Sequence, residues 1–315
     1  MNRSVVIVPV ERATDVARVV RVATAIARSP VDVHLVQVMT ADGLWPVEHG
    51  GREPAAWPPD SEAPATEGAA VRTVRLRGKA EAIIPAYAQV VGARAIVVER
   101  DYGTPRIWRS AAVVRRLSRS SPVPVLVLPA QGPALDRVAR GDINRVVVAV
   151  DSSVGSAVAL RTGVALARRH DARLTMLHAI ENVPGHMVLS GSEAWRVMQR
   201  VPGQERQMAG ELRRRAALLW DANAQAQVVT GDPDSAIVSA ASEADTDLVV
   251  MGVAPRTAFD QWAFGSTLGS VLRRARTPVL VVPVVGGAEP WHENTFGEDA
   301  TRAFAERFLT ARAAA

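Results

Sequence analysis

Residues 146–151, Val-Val-Val-Ala-Val-Asp, form an apolar run that ends on a carboxylate, and residues 6–11, Val-Ile-Val-Pro-Val-Glu, repeat that pattern. A second pair closes each half: Pro-Val-Leu-Val-Leu-Pro at residues 124–129 and Pro-Val-Leu-Val-Val-Pro at residues 278–283. A repeat of about half the chain is far longer than the unit of a solenoid. It therefore predicts two related domains, and it makes function a question of which half has kept its site.

Between these runs, strand-length apolar segments alternate with segments of helical periodicity. The strands are unbroken Val and Leu runs, which is typical of parallel strands buried on both faces. With right-handed crossovers, the pattern predicts an α/β fold of two doubly wound, Rossmann-like parallel-sheet domains in tandem. The predicted strands are residues 5–10, 34–38, 71–76, 95–98, 123–128, 145–150, 173–179, 226–229, 247–251 and 278–283. The predicted helices are residues 14–27, 80–91, 107–118, 156–169, 204–220, 233–243 and 266–275.

Composition shifts set the predicted domain boundaries. We expect a first domain over residues 1–130, a polar linker over 131–142, a second domain over 143–285 and a tail over 286–315. Inside the first domain, residues 42–70 are dominated by Pro, Gly, Glu and Ala, and we expect a long loop there. In the tail, residues 298–313 predict an amphipathic helix with one apolar stripe, which either docks on its own domain or binds a partner. The stripe consists of Phe304, Phe308 and Leu309.

The composition limits the classes of function. Of the 315 residues, 48% are hydrophobic and 22% are charged, as in a globular protein. The net charge of +5 rests almost entirely on arginine, because Lys79 is the only lysine. The lack of cysteine excludes disulfides, thiol chemistry and cysteine-bound metals. We find no signal-like segment and no apolar run of about 18 residues, so we expect a cytoplasmic protein without membrane contact.

Two places carry side chains that suit a ligand. Asp151 follows the first strand of the second half, where it could accept a hydrogen bond from a ligand amino group or cap the next helix; spacing alone favours capping, with Ser153 as a further cap candidate. Gly265, Ser266 and Thr267 open a later helix, after Gly252 has ended the fourth strand. This second place suits a phosphate, although the same residues would serve a plain N-cap.

The order and spacing of these motifs resemble the universal stress protein family over residues 143–284. The matching pieces are Val150-Asp151-x-Ser153-x-x-Ser156, Leu-His-Ala-Ile at 177–180, Gly231-Asp232-Pro233, Asp-Leu-Val-Val-Met-Gly at 247–252, Gly265-Ser266 and Pro-Val-Leu-Val-Val at 278–282. The first half resembles the family in outline only, so the whole chain is similar to tandem universal stress proteins.

The resemblance implies an adenine nucleotide, ATP with magnesium as its companion, in the second domain. Asp151 would meet the adenine, and Gly252 and the start of the later helix would wrap the phosphates. The implied nucleotide-binding residues are Ala149, Asp151, Ala179, Met251, Gly252, Val253, Gly265, Ser266 and Thr267. The chain departs from the family's Gly-x2-Gly-x9-Gly-Ser/Thr pattern at Pro255, which lacks an N–H and stiffens the loop. The resemblance also implies antiparallel pairing of residues 124–129 with 278–283, and a homodimer beyond this internal pairing.

The first half has lost more of the pattern. Glu11 replaces the aspartate, Ala13 and Val16 replace the serines, Arg100 stands at the Gly252 position and Ala111 at the Gly265 position. The segment over residues 100–119 is rich in arginine, which favours a solvated helix face, or else an anion site or a surface for an acidic partner. Few aromatic residues interleave with the arginines, so nucleic-acid binding is weakly supported.

No P-loop, dinucleotide glycine motif, zinc-binding motif or nucleophile elbow occurs. The histidines are scattered, and His178 lies in a strand, where core packing is expected. We therefore expect no enzyme; a weak ATPase is a third case, which the motifs do not indicate. Two hypotheses remain: a stress-response protein that binds ATP or a related nucleotide and regulates partners, and a nucleotide-free, pseudo-dimeric scaffold whose tail or arginine-rich loop recruits a partner.

Overall fold

The computed structural model describes residues 3–10, 15–27, 30–40, 43–44, 69–100, 111–151, 153–180, 206–207, 210–212, 214, 224–253 and 264–284. The first half contains β1 (Ser4–Pro9), α1 (Val16–Ala27), β2 (Val31–Thr40), β3 (Gly43–Leu44), β4 (Ala69–Arg77), α2 (Ala80–Val90), β5 (Ala95–Glu99), α3 (Ala111–Ser120) and β6 (Val125–Leu128). After α4 (Pro133–Arg140), the second half contains β7 (Arg145–Ala149), α5 (Val154–His170), β8 (Arg173–Ile180), β9 (Ala224–Thr230), α6 (Pro233–Ala241), β10 (Leu248–Val253), α7 (Phe264–Arg274) and β11 (Val279–Pro283).

These elements confirm the predicted α/β fold. Most of the predicted loop at 42–70, most of the predicted helix at 204–220, the loop with Pro255 and the tail lie outside the described residues.

The strands form one sheet in the order β4-β2-β1-β5-β6-β11-β10-β7-β8-β9, and β3 pairs with β2 as a short antiparallel addition. Strands β4-β2-β1-β5-β6 are parallel to one another, as are β11-β10-β7-β8-β9. The second order repeats the first when it is read from the other end. The described strands of the two halves thus share one doubly wound connectivity.

The two halves meet through β6 and β11, which pair antiparallel with Leu126 opposite Leu280. The predicted antiparallel pairing of the two closing strands is therefore present. All four residues of β6 and all five of β11 are buried. An apolar edge strand exposed to water invites aggregation, so this mutual pairing covers both edges.

Helices cover both faces of the sheet. One apolar cluster lies under α1, α4 and α5 and includes Val19, Leu135 and Leu160. The other lies under α2, α3, α6 and α7 and includes Ile84 and Val271. We call these the α5 face and the α7 face. This three-layer packing explains the unbroken Val and Leu runs, because each strand buries side chains on both sides.

The segment predicted as a polar linker contains α4, a helix that the sequence prediction did not include. Pro133 occupies the first turn, and Gly141 ends the helix at φ 82°, a left-handed conformation that favours glycine. Leu135 and Val138 are buried in the core of the α5 face. The connection between the halves is therefore a packed element.

Asp247 fixes α4 to the second half from the edge of the sheet where the strands begin. Its carboxylate is fully buried and accepts hydrogen bonds from the Arg137 side chain of α4 and from the backbone N–H groups of Asn144 (2.6 Å) and Arg145 (3.1 Å). Asp247 belongs to the motif at 247–252, yet it lies at the edge opposite the strand ends that carry the candidate ligand residues. Its role is structural.

Two arginines join the halves by donating to carbonyl groups at the ends of helices. Arg100, from the first half, is 3% exposed and its Nη2 donates to the Ala275 carbonyl at 2.6 Å, just beyond α7. Arg169 of α5 donates to the Ile26 carbonyl at 3.3 Å near the end of α1. Cations are favoured at helix C-termini, although burial lowers the pKa of Arg100 to about 9.

Candidate functional site

The direction of the connections reverses beside β7, which lies between β10 and β8. From β7 the chain moves outward to β8 and β9, and it then returns to β10 on the other side. In open α/β sheets, ligands bind at such a switch point, beyond the carboxyl ends of the strands. The crevice between the ends of β7 and β10 is therefore the candidate site of the second half.

The predicted site residues gather at this edge of the sheet. Ala149 ends β7 and Asp151 lies two residues beyond it, Ala179 lies near the end of β8, and Met251, Gly252 and Val253 end β10. The remaining three residues lie in the first turn of α7: Gly265, Ser266 and Thr267. Except for Met251, which is 6% exposed, those with a described accessibility are partly exposed.

Four of these residues belong to the α7 face. Met251 is part of its apolar cluster, and Ala149 and Val253 pack against it. Ala179 is in register with Val229, which also packs there. Ala149 and Ala179 therefore place short side chains on the α7 face of the strand ends.

Asp151 is held by the start of α5. Its Oδ1 accepts from the Ser153 N–H at 2.8 Å, and its own N–H donates to the Ser156 hydroxyl at 2.8 Å. Ser153 is the N-cap of α5, because its hydroxyl accepts from the Ser156 N–H at 3.1 Å. Capping therefore belongs to Ser153, and within the described residues no hydrogen bond occupies Oδ2 of Asp151. That oxygen is available to a ligand donor.

Gly252 is a glycine for reasons of packing. A Cβ at this position would overlap the backbone carbonyl of Gly155, so α5 begins directly against the end of β10. This contact is on the α5 face, opposite the face of Met251. The glycine closes one side of the crevice, and the ligand contact predicted for it would have to use its backbone.

The first turn of α7 is the other pole of the site. The early N–H groups of a helix lack intrahelical acceptors and favour an anion. Thr267 is half-buried in this turn, and the backbone of Gly265 and Ser266 lies in the same turn. The site thus has an acceptor pole at Asp151 and a donor pole at α7.

The α6 helix is tied to α7 beside the crevice. A hydrogen bond from Ser270 of α7, together with one from the Ser235 N–H and the charge of Arg274, lowers the pKa of Asp234. The Arg274 Nη1 lies 3.4 Å from the Asp234 Oδ2. This network fixes the spacing of the two helices that border the site.

At the matching place in the first half, a buried ion pair lies at the end of β5. Glu99 at the end of β5 is 3% exposed, and its Oε1 accepts from the Arg18 Nη2 of α1 at 2.8 Å. The register assigns Glu99 to the Gly252 position, because Glu99 faces Leu128 as Gly252 faces Val282, the same place in the two closing strands. The prediction of Arg100 at that position is therefore wrong by one residue.

The arginine-rich segment is only partly a surface. Arg100 is buried, and Arg116 of α3 lies 3.8 Å from the Glu81 carboxylate of α2, a partly exposed pair. Residues 101–110 lie outside the described part of the chain. Among the arginines that the structure describes, Arg100 is therefore too buried to contribute to the predicted anion site or partner surface.

Sequence reasoning missed His178, for which it predicted core packing. The His178 ring is half-buried, and its Nδ1 donates to the Val150 carbonyl at 2.7 Å, directly before Asp151. A polar residue near the end of an apolar strand, on the same face as Leu174 and Met176, is the signal that could have found it.

Two negative findings complete the site. Within the residues that the structure describes, no group of three His, Asp or Glu side chains is arranged to hold a metal ion. In the same part of the chain, every helix is too short or too polar to cross a membrane.

The fold and the switch-point crevice define a doubly wound α/β protein whose candidate site lies in its second half. Residues 142–283 match the model of the universal stress protein family, so this half of the chain is similar to members of that family. Over 139 residues the chain is 26% identical to a universal stress protein of Methanocaldococcus jannaschii, covering 44% of this chain and 81% of the relative.

Two solved structures share the fold over both halves. A universal stress protein from Archaeoglobus fulgidus aligns with a TM-score of 0.59 at 15% identity, covering 90% of this chain and 97% of the other. A functionally unknown protein from Pseudomonas aeruginosa aligns with a TM-score of 0.58 at 18% identity, covering 89% and 92%.

Proposed function

We propose that the second half binds an adenine nucleotide, ATP or a relative of it, in the crevice between β7 and β10, and that the bound nucleotide regulates protein partners without catalysis. The observation that carries the proposal is the pairing of two poles across one crevice. Asp151 offers an acceptor for an amino group, and the first turn of α7 offers donors for phosphates. Between them, Ala149 and Ala179 provide a flat apolar floor that suits a planar base.

The same residues argue against catalysis. Hydrolysis needs a base placed within hydrogen-bond reach of the attacking water. Within the described part of the crevice, Asp151 is the one ionisable group, and one of its oxygens is engaged by Ser153. Magnesium, if it accompanies ATP, would bind to the oxygens of the phosphates.

The test starts from the purified full chain. The protein is denatured and filtered, the filtrate is analysed by ion-exchange chromatography and mass spectrometry, and the protein is then titrated with ATP by calorimetry. We expect adenine nucleotide in the filtrate, or heat on titration, and we expect Asp151→Ala and Gly265→Arg each to abolish binding. The matched control is Asp142→Ala, which removes a carboxylate that is 56% exposed at the opposite edge of the sheet. ATP binding that persists in both site variants would show that this assignment is wrong.

The second candidate function is a nucleotide-free scaffold. It is supported by the continuous sheet through β6 and β11 and by the Glu99 and Arg18 ion pair, which stands in the first half where Gly252 stands in the second. An empty filtrate together with no heat on ATP titration would favour it. Deleting residues 287–315 should then change the oligomeric state or the capture of a partner.

A further inference from the structure

The peptide group between Val150 and Asp151 is held at both ends by side chains. Its carbonyl oxygen accepts from the His178 Nδ1 at 2.7 Å, and its N–H donates to the Ser156 hydroxyl at 2.8 Å. A carbonyl oxygen can only accept, so Nδ1 of His178 carries a hydrogen. We call this arrangement the peptide clamp.

This peptide group needs side-chain partners because the backbone hydrogen bonds between β7 and β8 end one residue earlier. The Val150 N–H still donates to the Leu177 carbonyl at 2.8 Å, but Val150 lies beyond the end of β7. Val150 itself is 7% exposed. Buried backbone groups without a partner cost free energy, so the next peptide group takes its partners from side chains.

The two side chains lie away from the floor of the crevice. His178 is on the α5 face with Leu174 and Met176, whereas Ala149 is on the α7 face. Ser156 is 4% exposed in the first turn of α5. Both residues therefore act on Asp151 through the main chain.

We infer that His178 and Ser156 are positioning residues that fix the direction in which the Asp151 carboxylate enters the crevice. The inference deepens the proposed function, and its effect on ligand affinity rests on that function. Its effect on the backbone does not, because the clamp is formed within the protein alone.

The test uses two measurements on the full chain. Amide hydrogen exchange at Asp151, followed by NMR without ligand, reports the clamp. ATP affinity, measured by calorimetry, reports its consequence. The variants are His178→Leu, which removes the donor, Ser156→Ala, which removes the acceptor, and His178→Asn, whose amide nitrogen can occupy the position of Nδ1. The matched control is Val228→Ala, because Val228 is in register with His178 on β9 and contributes packing only.

We expect His178→Leu and Ser156→Ala each to speed exchange at Asp151 and weaken ATP binding by about tenfold. His178→Asn should restore both toward the wild type, and Val228→Ala should change neither by more than about twofold. The inference is overturned if His178→Leu leaves exchange at Asp151 unchanged, or if Val228→Ala has the same effect as His178→Leu. A wild-type protein that protects Asp151 and binds no ATP would refute the proposed function and support the clamp.

Discussion

At the residue scale, the close contact of two backbone segments explains why residue 252 is a glycine, Gly252. The carbonyl of Gly155 occupies the space that any Cβ at this position would need. Backbone yields less readily than the far end of a flexible side chain. We therefore predict that Gly252→Ala lowers the free energy of unfolding by about 3 kcal/mol, measured by chemical denaturation.

The control for this substitution is Gly210→Ala, since a Cβ at Gly210 meets nothing within 4 Å. It should leave the free energy of unfolding within about 0.5 kcal/mol of the wild type. An unchanged denaturation midpoint in Gly252→Ala would mean that α5 is not seated on β10.

His34 gives the protein a defined response to pH. Its ring is 1% exposed on β2, its Nε2 accepts from the Arg72 Nε at 2.7 Å, and its Nδ1 lies 2.9 Å from the Tyr87 hydroxyl. Burial first, and then the charge of Arg72, lower the pKa of His34 below 6.5, while Asp32 opposes the shift.

The folded state therefore takes up a proton less readily than the unfolded state. Stability from neutral His34 is complete above pH 6.5 and is lost as the pH falls from there toward the lowered pKa. We predict that the free energy of unfolding of the wild type falls more steeply between pH 7 and pH 5 than that of His34→Gln. Parallel pH profiles for the two proteins would contradict the prediction.

Sequence reasoning placed Asp151 and Ser153 beside a helix start, and the structure agrees. It predicted a ligand contact for Gly252 and core packing for His178. A linear pattern shows neither that α5 packs against the end of β10 nor where the backbone hydrogen bonds between β7 and β8 end. Both depend on contacts between elements far apart in the chain.

At the element scale, α4 is attached through one buried carboxylate. Asp247 accepts from Arg137 and from two backbone N–H groups, and the carboxylate is fully buried. An amide in its place would lose the charge and present a donor to donors. We predict that Asp247→Asn lowers the free energy of unfolding by about 2 kcal/mol in denaturant titrations.

The matched control is Asp245→Asn. Asp245 also pairs with arginines, at 2.8 Å to Arg145 and 2.5 Å to Arg173, but its side chain is 46% exposed. Exposed pairs contribute little, so the change should be under about 1 kcal/mol. Equal effects of the two substitutions would rule out a special role for the α4 attachment.

Pro85 inside α2 removes one backbone hydrogen bond of the helix, and a neighbouring helix supplies a replacement. Pro85 has no N–H to donate to the Glu81 carbonyl, which a regular helix would require. The Ser120 hydroxyl of α3 donates to that carbonyl at 3.2 Å instead. The repair links the two neighbouring helices.

The predicted strands end within a few residues of the observed ones. An unbroken Val and Leu run is stable only when it is buried between two layers of helices, so the run marks the strand. The α4 helix was missed, although Pro133 at its start and Gly141 at its end are helix boundary signals. Its few apolar residues are buried only when α1 packs beside it and Asp247 attaches it to the second half. The one-residue error at Glu99 has a similar cause, since register depends on the partner strand.

At the scale of the whole molecule, the two halves should differ in ligand capacity. In the first half, Glu99, which pairs with Arg18, stands at the position of Gly252, and Glu11 stands at the position of Asp151. We predict a calorimetric stoichiometry of about one ATP per chain, with Asp151→Ala removing all of it. Two ATP per chain, or half of the capacity left in Asp151→Ala, would show that the first half also binds nucleotide.

The pairing of β6 with β11 has a consequence for how this chain can change. When two copies of a protein meet through one strand, the contact is isologous, so every substitution is made on both sides at once. Here the two strands belong to one polypeptide, and their effective concentration is set by the connection through α4. Each half can then vary without imposing the same change on the other. Two halves that share one fold but carry Gly252 at one strand end and the Glu99 and Arg18 pair at the other show the asymmetry that such freedom permits.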